Sequence, residues 1–206
     1  MLHRFDMHPF PHQAGATLPE VVTVLGLCAL VMVLAAPALT RAKRAAALER
    51  ATTHIRALMS CGHARAVLRQ QTEALVFERH AGRWRCFLAE DGDGDGVRHE
   101  DIRRGRDPVV GEVFELGRDE AGLGILTSIP VPDPSGRGRL RGDLDDPVRA
   151  GRGDIITFTN TGTATPASVY FTNGIDRMTV LRVYGPTGKI RTLEWRRGWT
   201  AWRAMR

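Results

Sequence analysis

The feature that most constrains this chain is an apolar run close to its beginning. Residues 15–39 read GATLPEVVTVLGLCALVMVLAAPAL and contain one charged side chain, Glu20. About 20 apolar residues are enough for an α-helix to cross a hydrocarbon core of roughly 30 Å. A carboxylate inside such a segment costs about 2.5–3.5 kcal/mol on insertion scales, so it marks a functional position by default. The run therefore predicts a membrane-spanning helix in which Glu20 has a function.

The residues ahead of this run differ from an ordinary secretory signal. The segment before Gly15 is short and polar, and it contains no apolar stretch of its own. A secretory signal is cut at small residues that follow its apolar stretch, whereas the glycine here precedes it. The arrangement resembles the leader of type IV prepilins, in which a dedicated prepilin peptidase cuts after the glycine and leaves the apolar helix attached.

The resemblance to the type IV pilin family assigns roles to particular residues. It implies that the peptidase cuts after Gly15 and that Ala16 becomes the N-methylated first residue of the mature chain. Glu20 is then the fifth mature residue, where the family keeps a glutamate, and Pro37 is the twenty-second, where many pilins carry a helix-kinking proline. The amine created by cleavage on a neighbouring subunit is a suitable partner for Glu20. The alternative for Glu20 is a carboxylate that rests at the headgroup interface.

Beyond Pro37 the sequence predicts that the same helix continues to about residue 71. The stretch contains no further proline and is rich in Ala, Leu, Arg and Gln, which favour helices. Its apolar side chains recur at helical spacing, which predicts one packed face: Ala47, Leu48, Ala51, Ile55, Leu58, Met59, Ala66 and Val67. The predicted organisation is a removed leader at 1–15, a transmembrane assembly helix at 16–39, the outer half of that helix at 40–71 and a β-rich domain at 72–206.

The rest of the chain is typical of short β-strands separated by Gly, Asn, Asp and Pro clusters. Alternating apolar residues and β-branched or aromatic content support the assignment. The predicted strands are 73–79, 83–89, 109–116, 124–129, 154–160, 167–173, 178–185 and 189–195. Residues 130–154 predict a weakly structured linker. A long N-terminal helix packed on a C-terminal antiparallel β domain is an α+β fold, and it is the pilin architecture.

The C-terminal third resembles one group within that family, the GspH/FimT minor pilins and pseudopilins. The residues that carry this resemblance are Thr159-Asn160-Thr161-Gly162, ASVYFTNG at 167–174 and VLRVYGPTGKIRTLEW at 180–195. The resemblance implies a structural minor subunit of a type IV pilus or a type II secretion pseudopilus, which primes or caps filament assembly. The implied partners are the prepilin peptidase and other pilin or pseudopilin subunits. The implied location is the inner membrane, single-pass, with the C-terminal domain in the periplasm.

Acidic residues alternate with glycine in the sequence DGDGDG at 91–96. Carboxylates at alternate positions followed by glycine are how an EF-hand-type loop surrounds calcium. The candidate Ca²⁺ ligands are Asp91, Asp93, Asp95, the carbonyl of Val97, Glu100 and Asp101. The bidentate acid of such a loop is missing because Ile102 occupies its place, and a predicted strand rather than a helix precedes the loop. The alternative to a calcium site is a solvated connection between strands.

The cysteines fall in three different settings. Cys28 lies in the apolar run and is expected to act as a small hydrophobic residue. Cys61 on the helix and Cys86 on a strand are a candidate disulfide pair in an oxidising periplasm. No group of residues resembles a nucleophile–base set or a phosphate-binding loop, so the chain is not predicted to be an enzyme.

Positive charge is concentrated at the end of the chain, where residues 181–206 hold the whole net excess of +6. FimT-like relatives can carry a basic Gly-Arg-x-Arg loop that contacts DNA, and Gly188-Lys189-Ile190-Arg191 stands at this place. Cations attract phosphates, and exposed tryptophans of the tail would stack on bases. The candidate nucleic-acid-binding residues are Lys189, Arg191, Arg196 and Arg197, beside Trp195, Trp199 and Trp202. The alternative function is therefore a DNA-binding minor pilin for DNA uptake, while the same charge also suits anionic phospholipid or an acidic partner subunit.

Overall fold

The computed structural model describes residues 17–116, 122–151 and 153–205. One long helix is followed by β-strands that pair antiparallel, so the chain has the predicted α+β layout. The chain divides into two units, Met1–Arg41 and Ala42–Arg206.

The long helix, α1, extends from Leu18 to Arg69 and includes Pro37. It ends because Gln70 adopts the left-handed conformation, with a φ of 55°. The N–H of Gln70 donates to the carbonyl of Val67 at 3.4 Å, and the N–H of Gln71 donates to that of Ala66 at 3.2 Å. This pair of bonds is the Schellman arrangement, which satisfies carbonyls that the last helical turn leaves open. The helix therefore stops two residues before its predicted end.

The described part of the first unit is the apolar beginning of α1. An 18-residue window of this helix has a mean hydropathy of 2.5, and none of the window is buried in the structure. It is one helix of sufficient length and apolar character to cross a membrane. The hydroxyl of Thr23 donates to the carbonyl of Pro19 at 2.7 Å, and that of Thr40 donates to the carbonyl of Ala36 at 3.0 Å. Both hydroxyls are thus satisfied within the helix itself, as an apolar surrounding requires.

In the second unit, α1 packs one face against the sheets. The buried residues of this face are Ala47, Leu48, Ala51, Thr52, Ile55, Met59, Gly62 and Ala66. Leu58 is half-buried against the same core, as predicted. Val67, in contrast, is 38% exposed, so its assignment to the packed face was wrong. One residue turns the helix by about 100°, which carries Val67 away from the face that Ala66 occupies.

Ten strands and one short helix follow α1 in the described part of the chain. In chain order they are β1 (Glu73–His80), β2 (Arg83–Glu90), α2 (His99–Arg104), β3 (Val109–Leu116), β4 (Gly122–Leu123), β5 (Val148–Ala150), β6 (Ile155–Phe158), β7 (Ala167–Thr172), β8 (Arg177–Tyr184), β9 (Lys189–Arg196) and β10 (Arg203–Ala204). A 3₁₀ turn at Gly185–Thr187 joins β8 to β9. Seven of the eight predicted strands are confirmed, with ends that agree to within two residues.

The strands form two sheets around the outer part of α1. The first sheet has the order β3-β2-β1-β6, and the second has the order β10-β9-β8-β7-β4, with β5 also paired to β7. The main core contains residues of α1 and of both sheets, including the fully buried Phe77, Phe158 and Phe171. A second apolar cluster, which includes Tyr170 and Trp195, covers the opposite face of the second sheet.

The segment between β4 and β5 differs from the sequence-based prediction. Residues 124–129 do not form a strand, and Ile125 and Leu126 are instead buried in the second apolar cluster. Residues 130–154 are not a weakly structured linker either, because they contain β5 and a chain reversal in which the N–H of Leu140 donates to the carbonyl of Val131 at 2.9 Å. Apolar residues that cover the face of a sheet show the same local pattern as residues that pair at its edge, so the sequence did not separate the two.

Candidate functional site

The four basic residues predicted to bind nucleic acid lie at opposite ends of β9. Lys189 and Arg191 are at its beginning, whereas Arg196 ends the strand and Arg197 follows it. At about 3.3 Å per residue, the two ends of this strand are roughly 23 Å apart. The structure therefore divides the predicted set into two separate pairs.

The first pair belongs to a basic and aromatic surface, here called the hairpin surface, made of Arg182, Tyr184, Lys189 and Arg191. Lys189 is paired in register with Tyr184, and Arg191 is paired with Arg182. The guanidinium carbons of Arg191 and Arg182 lie 5.3 and 5.9 Å from the centre of the Tyr184 ring. Tyr184 is 39% exposed. Arg182 and Tyr184 were not predicted from the sequence, although alternation along β8 puts both on one face.

The turn that carries the hairpin surface is held against α1 by His63. Gly188 has a φ of 58°, and a Cβ at this position would lie 2.3 Å from Nε2 of His63. The same Nε2 lies 3.0 Å from the carbonyl oxygen of Gly162. The turn at Gly185–Thr187 and the turn that ends in Gly162 therefore meet at one helix residue. A glycine at 188 is required both for the backbone conformation and for this close approach.

The second pair is partly engaged inside the protein. Nε of Arg196 donates to Oε1 of Glu194 at 2.8 Å, and Nη2 of Arg177 donates to the same oxygen at 2.5 Å. Burial alone would raise the pKa of Glu194, but the hydrogen bonds from Arg196 and Arg177 outweigh it, so its pKa is lowered. Arg197 is exposed, and its backbone N–H donates to the carbonyl of Asp176 at 2.8 Å. The charge of Arg196 is thus shared with an internal carboxylate, which weakens its attraction for an external phosphate.

The tryptophans of the tail are structural, so the prediction that they are exposed for stacking was wrong. Trp195 is 2% exposed, and its Nε1–H donates to the carbonyl of Trp199 at 2.8 Å. Nε1–H of Trp202 donates to the carbonyl of Pro132 at 2.7 Å. Trp199 and Trp202 both pack against the second apolar cluster. The rings cover the part of the outer face of the second sheet that is itself apolar.

The acidic loop between β2 and α2 brings three carboxylates together. One oxygen atom from each of Asp91, Asp93 and Asp95 lies within 4.8 Å of the others. Asp91 is buried, and its two oxygens accept the N–H of Gly94 at 2.7 Å and that of Gly96 at 3.0 Å. A carboxylate that accepts these bonds holds the turn of its own loop. As predicted, a strand precedes this loop.

A further carboxylate, Asp107, closes the loop and was not predicted from the sequence. Asp107 is 1% exposed, and its two oxygens accept the N–H groups of Gly92 at 3.1 Å and Arg98 at 3.0 Å. Gly92 leaves no room for a side chain, since a Cβ would lie 1.9 Å from the carbonyl oxygen of Arg106. No local pattern marks Asp107 in the sequence, because its partners are backbone groups brought near by folding.

Arginines neutralise the remaining acidic candidates for calcium. The ion pairs are Asp95–Arg98, Glu100–Arg104 and Asp101–Arg106. Val97 is buried in an apolar cluster against which Ile102 packs. Glu100 and Asp101 therefore bond to cations of their own segment. A connection held by its own hydrogen bonds and ion pairs fits these contacts, and calcium binding by this loop stays a prediction.

The candidate disulfide between Cys61 and Cys86 is not formed in the structure, where both cysteines are free. Cys86 is buried in the main core, whereas Cys61 is exposed on a side of α1 that does not face it. The sequence placed Cys61 on a helix and Cys86 on a strand but did not show that their side chains point to different environments. Burial raises the pKa of the Cys86 thiol to about 12, so this thiol is chemically inert in the folded protein.

The residues predicted for filament assembly lie at the beginning of the chain. Glu20 is exposed in the first turn of α1, where a carboxylate also interacts favourably with the helix dipole. Pro37 lies inside the same helix, where it removes one backbone hydrogen bond. Gly15 and Ala16 lie outside the described residues. The roles of all four residues stay predictions.

Comparison with protein-family models, with curated proteins and with solved structures finds no match to this chain.

Proposed function

We propose that this protein is a structural, non-catalytic subunit of a membrane-anchored filament, a minor pilin or pseudopilin of a type IV pilus or a type II secretion pseudopilus. The observation that carries the proposal is the division of α1 into two parts of opposite character. Its beginning is apolar on every side and exposed, whereas its end is packed into the core of a β-rich unit. A helix of this kind suits a membrane before assembly and a bundle of neighbouring helices afterwards.

Glu20 supplies the chemistry of assembly in this proposal. A carboxylate among apolar helices is destabilising unless a positive group pairs with it. Removal of the leader after Gly15 by the prepilin peptidase creates a free amine on Ala16 of each subunit. The amine of one subunit then pairs with Glu20 of its neighbour, which fixes the relative position of the two helices. The orientation that goes with this proposal is a leader in the cytoplasm and a C-terminal unit in the periplasm.

The first test is the mature N-terminus. Mass spectrometry of the chain extracted from the inner membrane is expected to show a polypeptide that begins at Ala16 and carries one added methyl group. A chain that begins at Met1, or one that begins beyond Ala36, would remove the proposal altogether.

The second test is the replacement Glu20→Ala. Membrane insertion and cleavage are expected to continue, because an apolar residue suits the span better than a carboxylate. Recovery of the variant in sheared filaments is expected to fall strongly. The matched control is Glu112→Ala, which removes an exposed glutamate from β3 and is expected to leave recovery unchanged. Equal recovery of the two variants would reduce Glu20 to an interfacial residue.

The hairpin surface favours a second candidate function, DNA binding during DNA uptake. Lys189 and Arg191 lie beside Arg182 and the exposed ring of Tyr184, a combination that attracts phosphates and offers a stacking platform. In a gel-shift titration with duplex DNA, the double variant Lys189→Gln/Arg191→Gln is expected to reduce the slope of log affinity against log salt by about two, since each phosphate contact contributes about 0.9.

The matched control for this experiment removes the same charge from the other end of β9. Arg196→Gln/Arg197→Gln is expected to change the slope by less than half as much, because Arg196 is already bonded to Glu194. If the wild-type protein does not shift duplex DNA at low salt, the DNA-binding candidate falls and the structural one remains.

A further inference from the structure

A cleft of about 420 Å³ lies between the outer part of α1 and strands β8 and β9. Of the candidate binding residues described above, only Arg196 lines this cleft. One wall is formed by α1 from Ala45 to Arg56, and the other is formed by the ends of the two strands together with Met205. The cleft lies wholly within the second unit, Ala42–Arg206.

Hydrogen-bond donors dominate the strand wall of the cleft. The guanidinium groups of Arg177 and Arg196 converge on Oε1 of Glu194, with Nε of Arg177 at 3.1 Å and Nε of Arg196 at 2.8 Å. The side chain of Glu194 is 12% exposed, so this carboxylate organises the two arginines from below the surface. Two positive charges held by one negative charge leave a local excess that favours an anion.

The helix wall adds a third cation. Arg56 is exposed on α1 and lines the cleft. Among the described residues it forms no hydrogen bond or ion pair, in contrast to Arg177 and Arg196 on the facing strands. Glu49 is the only acid that α1 contributes to the described lining. With three arginines and two glutamates, the cleft has a net charge of +1.

A buried hydroxyl lies at the strand side of the same cleft. Thr192 is 6% exposed, and its Oγ1 has no hydrogen-bond partner among the described residues. It precedes Glu194 by two residues on β9, so alternation places both side chains on the face that lines the cleft. A buried hydroxyl without a partner is destabilising, which makes it a candidate to meet a ligand.

We infer that this cleft binds an organic carboxylate. The positive excess, the guanidinium group of Arg56 and the unpartnered hydroxyl of Thr192 suit one negative group, and guanidinium groups pair with carboxylates through parallel hydrogen bonds. Leu48 and Met205 provide an apolar wall beside these donors, which suits a short hydrocarbon portion next to the carboxylate. The carboxylate belongs either to a small free acid or to the C-terminus of a peptide. This inference does not depend on the function proposed above.

The test is calorimetric titration of the full-length chain in detergent micelles at constant ionic strength. The probes are butyrate, the tripeptide Ala-Ala-Leu with a free C-terminus, and the same tripeptide as its C-terminal amide. Saturable binding of butyrate alone identifies the ligand as a small acid, and saturable binding of the free-acid tripeptide identifies a peptide C-terminus. Binding of the amide as tightly as the free acid, or no saturable binding of either carboxylate, would overturn the inference.

Two variants separate a binding role from a structural one. Arg56→Gln is expected to weaken carboxylate binding about tenfold or more without a change in the unfolding midpoint, because a charged hydrogen bond is lost at an exposed residue. The control Arg103→Gln removes an exposed arginine from α2 and is expected to leave binding unchanged. Thr192→Val is expected to raise the unfolding midpoint in the absence of ligand and to weaken binding. Equal affinities of the Arg56 and Arg103 variants, or unchanged affinity of the Thr192 variant, would contradict the proposed site.

Discussion

The two parts of α1 both contain many apolar side chains but differ in what surrounds them. In the first unit, Val22, Leu25 and Leu34 are 61%, 63% and 69% exposed. In the second unit, Ile55 and Met59 are 0% exposed. The same helix therefore leaves its apolar residues open at its beginning and buries one face of them in the second unit.

The difference shows that apolar content by itself does not determine burial within a chain. In the second unit, the apolar residues of α1 recur at helical spacing with polar and charged residues between them. Only one face of this part can therefore be removed from water, and the sheets cover that face. The beginning of α1 is apolar all round, and no single sheet can cover such a surface. It needs an apolar surrounding on every side, such as a bilayer or a bundle of helices.

The largest expected effect on stability concerns an ion pair between the end of α1 and β1. Nε of Arg65 donates to both carboxylate oxygens of Glu73, at 2.7 and 3.0 Å, and Glu73 is 0% exposed. Arg65→Met is expected to lower the free energy of unfolding by about 3–5 kcal/mol, because it leaves a buried charge without its partner. Urea unfolding monitored by tryptophan fluorescence measures the change.

The control for this prediction is Arg69→Met. Arg69 pairs with Glu90 at 2.6 Å, but its side chain is 55% exposed. An exposed ion pair contributes about 0–1 kcal/mol, so the control is expected to be nearly neutral. Equal losses of stability in the two variants would contradict the role given to burial.

Two glycines of α1 provide the most direct comparison between its parts. A Cβ at Gly62 would lie 2.9 Å from Cδ2 of Leu88 and 3.3 Å from Phe158, whereas a Cβ at Gly26 meets nothing within 4 Å. Gly62→Leu is expected to destabilise the protein by about 1–3 kcal/mol through overpacking. Gly26→Leu is expected to leave the unfolding of the purified chain in detergent unchanged. Similar midpoints for both variants would show that α1 is less tightly packed than the structure describes.

The pH dependence of stability tests the hydrogen bonds that Arg177 and Arg196 donate to Glu194. The pKa of Glu194 is lowered in the folded protein by its arginine partners, so its contribution is complete above the unfolded-state value of about 4.3. This contribution is lost as the pH falls through the lower, folded-state value. Glu194→Gln is expected to be about 1 kcal/mol less stable than wild type at pH 7, and the two stability curves should converge in acid. Parallel curves down to pH 3 would mean that the arginines do not stabilise the carboxylate.

The smallest expected effect on stability concerns the cysteine on the exposed side of α1. Cys61→Ser is expected to change the free energy of unfolding by less than about 0.5 kcal/mol, as is usual for surface substitutions. In the native protein a thiol reagent is expected to label Cys61 rapidly and Cys86 only after unfolding, because Cys86 is buried and its pKa is raised to about 12. Protection of both thiols, reversed by a reductant, would show that the disulfide predicted from the sequence forms after all.

Most of the fold was accessible from the sequence because its signals are local. The end of α1, the hairpin of β1 and β2, and the hairpin of β8 and β9 each follow from periodicity within one stretch of chain and from the turn residues beside it. The segment at 124–129 was mistaken for a strand because its apolar pattern is the same whether it pairs at an edge or covers a face.

The candidate sites were less accessible because they join distant residues. Lys189 and Arg191 were identified from the basic motif Gly188-Lys189-Ile190-Arg191, but Arg182 was not identified, because only the pairing of β8 with β9 places it beside Arg191. The cleft that includes Arg56 and Thr192 requires α1 to pack across β9, and the two residues are far apart in the sequence. Nothing in the local pattern around either residue indicates the other.

The sequence by itself determined the apolar length that can cross a membrane, the position of Glu20 within it, and the alternation of helix and strands. These depend on side-chain type and spacing along the chain, which are complete in the sequence. Only the tertiary structure decided that Asp107 closes the acidic loop, that Cys61 and Cys86 point to different environments, and that the basic residues of β9 separate into two pairs. These outcomes depend on which faces meet when α1 packs on the two sheets, and that choice is made by the burial of the whole core rather than by any one segment.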